Sequence, residues 1–220
     1  MWTRLELKEQ GRQDFKNDYW AYVLVAFIAV LCTGEHLTFI TQQLDIHSYS
    51  ISTIGTLLSI LLLHPLYIGT RRFFLSNIYK DGKTSLQTLS YAFDTAYGNV
   101  VLTMFLKRLF ITLWTLLLIV PGIIKTYSYF MVDYILADNP DIDYRRAFDI
   151  SNKTMNGEKL NVFVLDLSFI PWFLLTIITA GIAGIFYVSP YIEATKARLY
   201  DVLKEKAITN GYATYEDFNC

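Results

Sequence analysis

Charged residues and cysteines are both scarce in this sequence, and each shortage excludes a class of protein. Only 18% of the 220 residues are charged, whereas a soluble domain carries about a quarter. The two cysteines, Cys32 and Cys220, cannot build a disulfide framework, and no Cys/His group has metal-ligand spacing. The net charge of -1 argues against an electrostatic nucleic-acid binder, so no nucleic-acid partner is expected.

Catalytic and cofactor-binding motifs are missing as well. The three histidines, His36, His47 and His64, are scattered and form no HExxH pair. No serine stands in a GxSxG setting, and no glycine-rich loop is suited to hold a phosphate. We therefore expect a protein that is not an enzyme and that holds no metal or cofactor.

Long apolar runs are present instead, with 53% hydrophobic and 16% aromatic residues. A spanning helix needs about 20 apolar residues, because the hydrocarbon core of a bilayer is about 30 Å thick. Four runs meet this length: Trp20–Ile40, Ile51–Thr70, Leu160–Thr179 and Ile182–Tyr200. Pro190 and Glu193 lie inside the last of them, and the proline predicts a kink. The first run has no small-residue cleavage site after it, so we expect a retained span.

The region Val100–Ala137 is too long for one span and carries Pro121-Gly122 in its middle. Proline removes a backbone donor and glycine permits turn dihedrals, so the pair predicts a tight turn. A turn there gives six spans, the fourth being a short one at Gly122–Ala137, whereas one kinked span Leu109–Leu136 gives five. With six spans, all 19 basic residues except Lys125 lie on the cytoplasmic side, as the positive-inside rule favours. We therefore predict about six spans with both termini cytoplasmic.

Two segments between the spans are predicted to form cytoplasmic amphipathic helices. Thr84-Ser85-Leu86-Gln87 fits a capping box and precedes apolar residues at helical spacing. Asn139-Pro140-Asp141 is typical of a helix start, and Asn156-Gly157 of its end. Tyr144, Phe148 and Met155 would share one face of this second helix.

The N-terminal segment has basic residues at helical i, i+4 steps, balanced by acidic ones, and we expect an ordinary solvated helix. The basic residues are Arg4, Lys8, Arg12 and Lys16. The sequence as a whole predicts an all-α, polytopic membrane protein. Its parts are a cytoplasmic N-terminal helix over 1–18, a helical membrane domain over 19–203 and a cytoplasmic C-terminal tail over 204–220.

Ionisable residues inside the predicted spans are the candidate functional residues, because each needs a partner or a water-filled route. Asp166 lies about 9 Å into the fifth span and Asp133 about 6 Å from the cytoplasmic end of the fourth. Lys107 and Arg108 enter the third span at a comparable level, and Glu193 lies in the sixth. These five residues are predicted to approach one another.

Two interpretations of this polar cluster stay open. It forms structural ion pairs that join helix ends, or it forms an ion or proton relay or a polar substrate site. A faint parallel bears on the second interpretation, because Pro65 and Pro190 are each followed five residues later by a threonine and then a basic residue. Transporters often contain repeats with broken helices at the binding site, although chance also explains so short a match.

Several motifs in the second half resemble a known family. They are Pro121-Gly122-Ile123-Ile124-Lys125, Tyr127-Ser128-Tyr129, Ile135-Leu136-Ala137-Asp138-Asn139-Pro140, Met155-Asn156-Gly157, Leu167-Ser168-Phe169-Ile170-Pro171-Trp172, Thr179-Ala180-Gly181-Ile182 and Pro190-Tyr191-Ile192-Glu193-Ala194-Thr195. Together they look like the bacterial integral-membrane proteins grouped as domain of unknown function 975. The resemblance is dense over Leu113–Leu203 and looser over Leu7–Tyr22, and Pro171 departs from it, since a small residue is more usual there.

The resemblance implies a polytopic helical fold in a bacterial cell membrane, and it transfers no catalytic residue. The leading hypothesis is a non-enzymatic scaffold or accessory membrane component that acts through a membrane protein partner. The alternative is a small transporter or channel that uses the inner-leaflet polar cluster. The lipid bilayer is a partner under both hypotheses, and the sequence leaves the oligomeric state open.

Overall fold

The computed structural model describes residues 2–32, 59–79 and 85–218, in which every regular element is a helix and none is a strand. The α-helices of these ranges are α1 Arg4–Asn17, α2 Tyr19–Cys32, α3 His64–Tyr79, α4 Tyr91–Asp94, α5 Tyr97–Leu117, α6 Ile119–Ser128, α7 Val132–Asp138, α8 Tyr144–Thr154, α9 Lys159–Leu167, α10 Ile170–Ile178 and α11 Ser189–Thr209. Short π-helical turns precede α3 and α11, at Ser59–Leu63 and Gly184–Val188.

The first helix packs along one face against α11. Thr3 caps α1 by accepting a hydrogen bond from the Glu6 amide, and Leu7 and Phe15 are buried. A side chain at Gly11 would meet the backbone of Thr195 on α11, so the two helices approach closely there. The expectation of an ordinary solvated helix was therefore wrong for this face. A bend of 109° separates α1 from α2.

Among the described residues, two stretches are long and apolar enough to cross a membrane: α5, and the continuous stretch Lys159–Ile178 that comprises α9 and α10. The bent pair α1 and α2 adds a third if it counts as one span. Only 17% of each apolar window is buried inside the protein, so most of this surface needs an apolar solvent. The predicted runs Trp20–Ile40 and Ile51–Thr70 lie partly outside the described residues, and the second continues as helix to Tyr79.

The turn predicted at Pro121-Gly122 occurs three residues earlier. Leu118 is extended between α5 and α6, and Pro121 lies in the first turn of α6, where a helix has no use for an amide donor. Gly122 has a different role from the predicted one. A Cβ at Gly122 would meet Thr115, with 2.7 Å to the Thr115 Cα, so glycine allows α5 and α6 to approach closely in this hairpin.

The predicted fourth span is broken into α6 and α7, and the chain from 131 to 140 is buried without exception. Tyr134 on α7 stacks on Tyr200 of α11, with ring centroids 5.0 Å apart. The α7 segment therefore lies in the core, between α3 and α11.

The two predicted amphipathic segments differ in outcome. The second forms α8, capped by Asp143, with Ala147 and Ile150 buried and Arg145 exposed. The first is not a regular α-helix, since Leu86–Ser90 is a 3-10 helix followed by the short α4. Ser85 accepts a hydrogen bond from the Gln87 amide, and Thr84 lies outside the described residues.

Candidate functional site

Lys107 and Asp133 form an ion pair between α5 and α7. The Lys107 Nζ lies 2.5 Å from the Asp133 Oδ1, and the side chains are 14% and 11% exposed. The α5–α6 hairpin returns the chain past this level of α5, which explains how residues 26 positions apart meet. The structure thus brings these two members of the predicted cluster together.

Arg108 contacts a histidine rather than a carboxylate. Its Nη1 lies 3.4 Å from the Nε2 of His64 on α3. A guanidinium only donates hydrogen bonds, so this contact requires Nε2 to accept and places the ring proton on Nδ1, a buried atom without a hydrogen-bond partner among the described residues.

Both side chains line a cavity of about 340 Å³ that also reaches Cys32, Tyr67 and Lys107. Arg108 and Lys107 make the wall of this cavity cationic. Within the described ranges, no group of three or more His, Cys, Asp or Glu side chains is placed to hold a metal ion. The cavity is therefore a polar pocket whose charge suits an anion better than a metal cation.

Glu193 on α11 forms an ion pair with Arg71 on α3, and the two side chains are 16% and 7% exposed. Arg71 also donates to the Tyr67 hydroxyl, and its guanidinium lies 5.1 Å from the ring of Tyr134. Sequence reasoning placed Arg71 at the cytoplasmic end of the second span. Because α3 continues eight residues beyond Arg71, the guanidinium lies within a buried helix instead.

Asp166 on α9 has two partners and remains about one-third exposed. It accepts a hydrogen bond of 3.1 Å from the Tyr127 hydroxyl and lies 3.3 Å from the Lys196 Nζ on α11. Within the predicted set, Lys107 and Asp133 contact each other directly. Each of the five predicted residues has a partner on another helix.

Asp138, the most buried carboxylate among the described residues that form ion pairs, was missed by sequence reasoning. Its side chain is 1% exposed and lies 2.9 Å from the Lys204 Nζ and 3.2 Å from the Arg72 Nη1. The hydroxyls of Tyr200 and Tyr79 also donate to it, at 2.9 and 3.2 Å. One signal in the sequence could have indicated a buried carboxylate, because Asp138 directly follows the apolar run Ile135-Leu136-Ala137. The next residues, Asn139-Pro140, were interpreted only as a helix start.

The surroundings of Lys204 hold it in its charged form. Burial alone would lower the pKa of this ammonium, but the Asp138 carboxylate and the Tyr79 hydroxyl outweigh burial and raise the pKa above its ordinary value. Burial raises the pKa of the neighbouring Asp201, and Arg198 and Lys204 oppose that shift. Asp138 and its partners therefore form a buried polar layer that links α3, α7 and α11. The layer consists of Asp138, Arg72, Lys204, Tyr79 and Tyr200.

The described part of the predicted C-terminal tail, which runs to Phe218, is attached to α8. Arg146 donates two hydrogen bonds to the Asp217 carboxylate, of 3.0 and 2.7 Å, and Phe218 is 1% exposed. The hydrogen bonds from Arg146 and Thr214 lower the pKa of Asp217 despite its partial burial.

Pro65 and Pro190 occupy equivalent places in two broken helices. A five-residue π-helical turn ends two residues before each proline, at Leu63 before α3 and at Val188 before α11. Because proline has no amide hydrogen, the carbonyl four residues earlier lacks its helical donor. The kink predicted at Pro190 corresponds to this change from π-helix to α-helix.

A tyrosine hydroxyl supplies the missing donor at both breaks. Tyr97 donates to the Leu61 carbonyl over 2.8 Å, and Tyr19 donates to the Phe186 carbonyl over 3.0 Å. The faint sequence parallel between the two prolines therefore extends to backbone geometry and hydrogen bonding. The Arg71–Glu193 ion pair joins the two helices that begin at these breaks.

Comparison with protein-family models matches residues 116–207 to the family described as Protein of unknown function (DUF975). This range contains Asp133, Asp138, Asp166 and Glu193, together with α6 through most of α11. No curated protein and no solved structure matches the chain. The family match covers less than half of the chain and agrees with the resemblance carried by the motifs from Pro121 to Thr195, so over residues 116–207 the chain is similar to the DUF975 family of unknown function.

Proposed function

We propose that this protein is a non-enzymatic membrane scaffold or accessory component that crosses the bilayer about six times. The observation that carries the proposal is the pairing of its buried charges. Each carboxylate of the predicted cluster has a cation on another helix: Asp133 has Lys107, Asp166 has Lys196 and Glu193 has Arg71. Such pairs hold helices in register, as a structural role of these three carboxylates would require.

Membrane insertion is supported by the two long apolar helices, and by the bent pair α1–α2 as a third. The remaining spans of the proposal rest on the apolar runs and on the distribution of basic residues. The same distribution places both termini, α8 and the Leu86–Ser90 segment on the cytoplasmic side. The family resemblance implies that the membrane is that of a bacterial cell.

The partner-binding role is tested by crosslinking the tagged, full-length protein in its own membrane and purifying it in mild detergent. The exposed side chains Arg145 and Lys153 of α8 are the candidate contact residues. We expect the same partner in independent preparations, and its loss after Arg145→Ala combined with Lys153→Ala. Lys16→Ala, on the exposed face of α1, is the matched control. Repeated recovery of no specific partner would contradict the proposal.

A small transporter or channel is the second candidate, and two observations favour it. The twin proline breaks at Pro65 and Pro190 match the broken helices on which transporters build their sites. The Arg108–His64 contact also borders a cavity. Flux measured in liposomes should fall in Asp133→Asn, Asp166→Asn and Arg108→Gln under this candidate. Background flux in the wild type and in all three variants would remove it.

A further inference from the structure

A groove lies between the start of α1, the outer face of α9 and the end of α11. Its volume is about 1150 Å³. One wall is formed by Trp2 through Leu5 and by Lys8, another by Asn161 and Val164, and the third by Val202 and Lys206. The groove therefore borders Lys159–Ile178, one of the stretches that are apolar enough to span a membrane.

The lining of this groove carries an excess of positive charge. Arg4, Lys8 and Lys206 face a single carboxylate, Glu158. That carboxylate is already engaged, since it lies 2.5 Å from the Lys206 Nζ and accepts a hydrogen bond of 3.0 Å from Asn161. Two cationic groups, Arg4 and Lys8, are thus left without a carboxylate partner among the groove residues.

Arg4 and Lys8 lie one helical turn apart and differ in how they are held. The Lys8 Nζ donates to the Ser168 carbonyl over 2.9 Å and lies 4.2 Å from the centre of the Phe169 ring. One of its three donors is used in this way, and the others remain available. Arg4 has no ion pair or side-chain hydrogen bond with any described residue. Like charges at this spacing repel, so an anion between them would stabilise the start of α1.

The walls of the groove beside these cations are apolar. Leu5 lines the groove beside Arg4 and is 84% exposed. Leu160 lies just outside the groove, one helical turn before the lining residue Val164 on α9, and is 76% exposed. Val164 continues the apolar wall along α9 towards Ser168. A phosphate group alone would use the cations and leave these leucines in water, whereas a phospholipid matches both parts.

We propose that this groove binds one anionic phospholipid. The phosphate contacts Arg4 and Lys8, and an acyl chain lies along Leu5, Leu160 and Val164. The site anchors the start of α1 to the lipid that surrounds α9. This inference rests on the proposed membrane insertion and adds a lipid preference to it.

The test measures the affinity of the full-length protein, in mild detergent, for phosphatidylglycerol and for phosphatidylcholine by thermal-shift titration. We expect tighter binding of phosphatidylglycerol and no comparable shift with inorganic phosphate. Arg4→Gln should weaken phosphatidylglycerol binding about fivefold, the effect of one basic residue near an anionic lipid. Arg4→Lys should retain most of the affinity.

Lys16→Gln is the matched control, because Lys16 is exposed on the same helix and does not line the groove. It should leave the lipid preference unchanged. Arg4→Gln should not lower the melting temperature without lipid, since Arg4 has no ion pair or side-chain hydrogen bond to lose among the described residues. Equal affinity for the two lipids, or an equal loss in Lys16→Gln, would overturn the lipid site. A protein that stays soluble without detergent would instead overturn membrane insertion.

Discussion

In a soluble protein apolar side chains are buried and charged ones are exposed. The opposite holds at the ends of the apolar helices α5 and α10 and in the polar layer around Asp138. At these ends, Leu116 and Ile178 are 84% and 80% exposed, while the Asp138 side chain is 1% exposed. Apolar side chains in a bilayer need no protein partner, but a charged group there must find one inside the protein. In this molecule the side chains are therefore packed most closely around the buried charged residues, and least closely at the apolar helix ends.

Helical rise gives the spacing between these two regions. At 1.5 Å per residue, Lys107 lies about 15 Å from the α5 tip at Leu117, and Asp166 about 18 Å from the end of α10 at Ile178. Half of a hydrocarbon core is about 15 Å. The ion pairs therefore begin near the depth at which a spanning helix would pass the midplane.

The largest expected effect follows removal of the Asp138 charge. Asp138→Asn leaves the buried Lys204 and the partly buried Arg72 without their carboxylate, and should lower the free energy of unfolding by about 3–5 kcal/mol. Reversible denaturation in detergent measures this loss. Asp141→Asn is the control, since Asp141 is exposed and lies three residues away. A loss of stability no greater than in the control would show that the layer around Asp138 is dispensable.

A smaller effect is expected at the Lys107–Asp133 pair, because it joins two residues whereas the layer around Asp138 joins five. Lys107→Gln and Asp133→Asn should each cost about 3 kcal/mol, because each strands a buried charge. The double variant should cost less than the sum of the two. A double-mutant cycle measures this coupling. Strictly additive losses would mean that the two side chains do not stabilise each other.

Close backbone approach gives a third, intermediate effect. A Cβ at Gly69 would collide with the Leu89 carbonyl oxygen, so Gly69→Ala should destabilise by about 1–3 kcal/mol. Gly98 on α5 has nothing within 4 Å of the same position. Gly98→Ala should therefore be neutral or stabilise the protein by up to about 1 kcal/mol. Melting temperatures of the two variants compare them, and a similar change in both would contradict the packing of α3 against Leu89.

The smallest effect concerns the attachment of the C-terminal residues to α8. Because the pKa of Asp217 is lowered in the folded state, its stabilisation is complete above the ordinary aspartate pKa of about 3.9. It is lost as the pH falls through the lower, folded value. A dye on Cys220 should lose anisotropy over that range, and Asp217→Asn should remove the pH dependence. Arg146→Gln should cost below about 1 kcal/mol, since Arg146 is partly exposed.

Sequence reasoning succeeded where one helix determines the answer. Depth along a span placed Lys107 and Asp133 at similar levels, and the Asn139-Pro140-Asp141 start led correctly to α8. It failed where the answer depends on a second element. Gly122 was interpreted as a turn residue because its close contact with Thr115 is visible only in the folded hairpin.

The same limit explains why the buried charge of Asp138 was missed. Asp138 meets Arg72 and Tyr79 from α3 and Lys204 and Tyr200 from α11, and no local spacing joins them. The buried face of α1 was missed for a related reason. The balanced charges of that helix are typical of a solvated surface, and its burial comes from the close approach of Gly11 to α11.

The central claim, that the apolar ends of α5 and α10 face lipid while the residues that follow α8 face water, has one direct test. Spin labels are placed at Leu117→Cys and at Asn156→Cys, both at exposed positions, with Cys32→Ala and Cys220→Ser in both variants. After reconstitution into bilayers, collision rates with oxygen and with a water-soluble nickel complex are measured. The account predicts that oxygen dominates at position 117 and nickel at position 156. Equal preference at the two positions, or nickel dominating at 117, would contradict it.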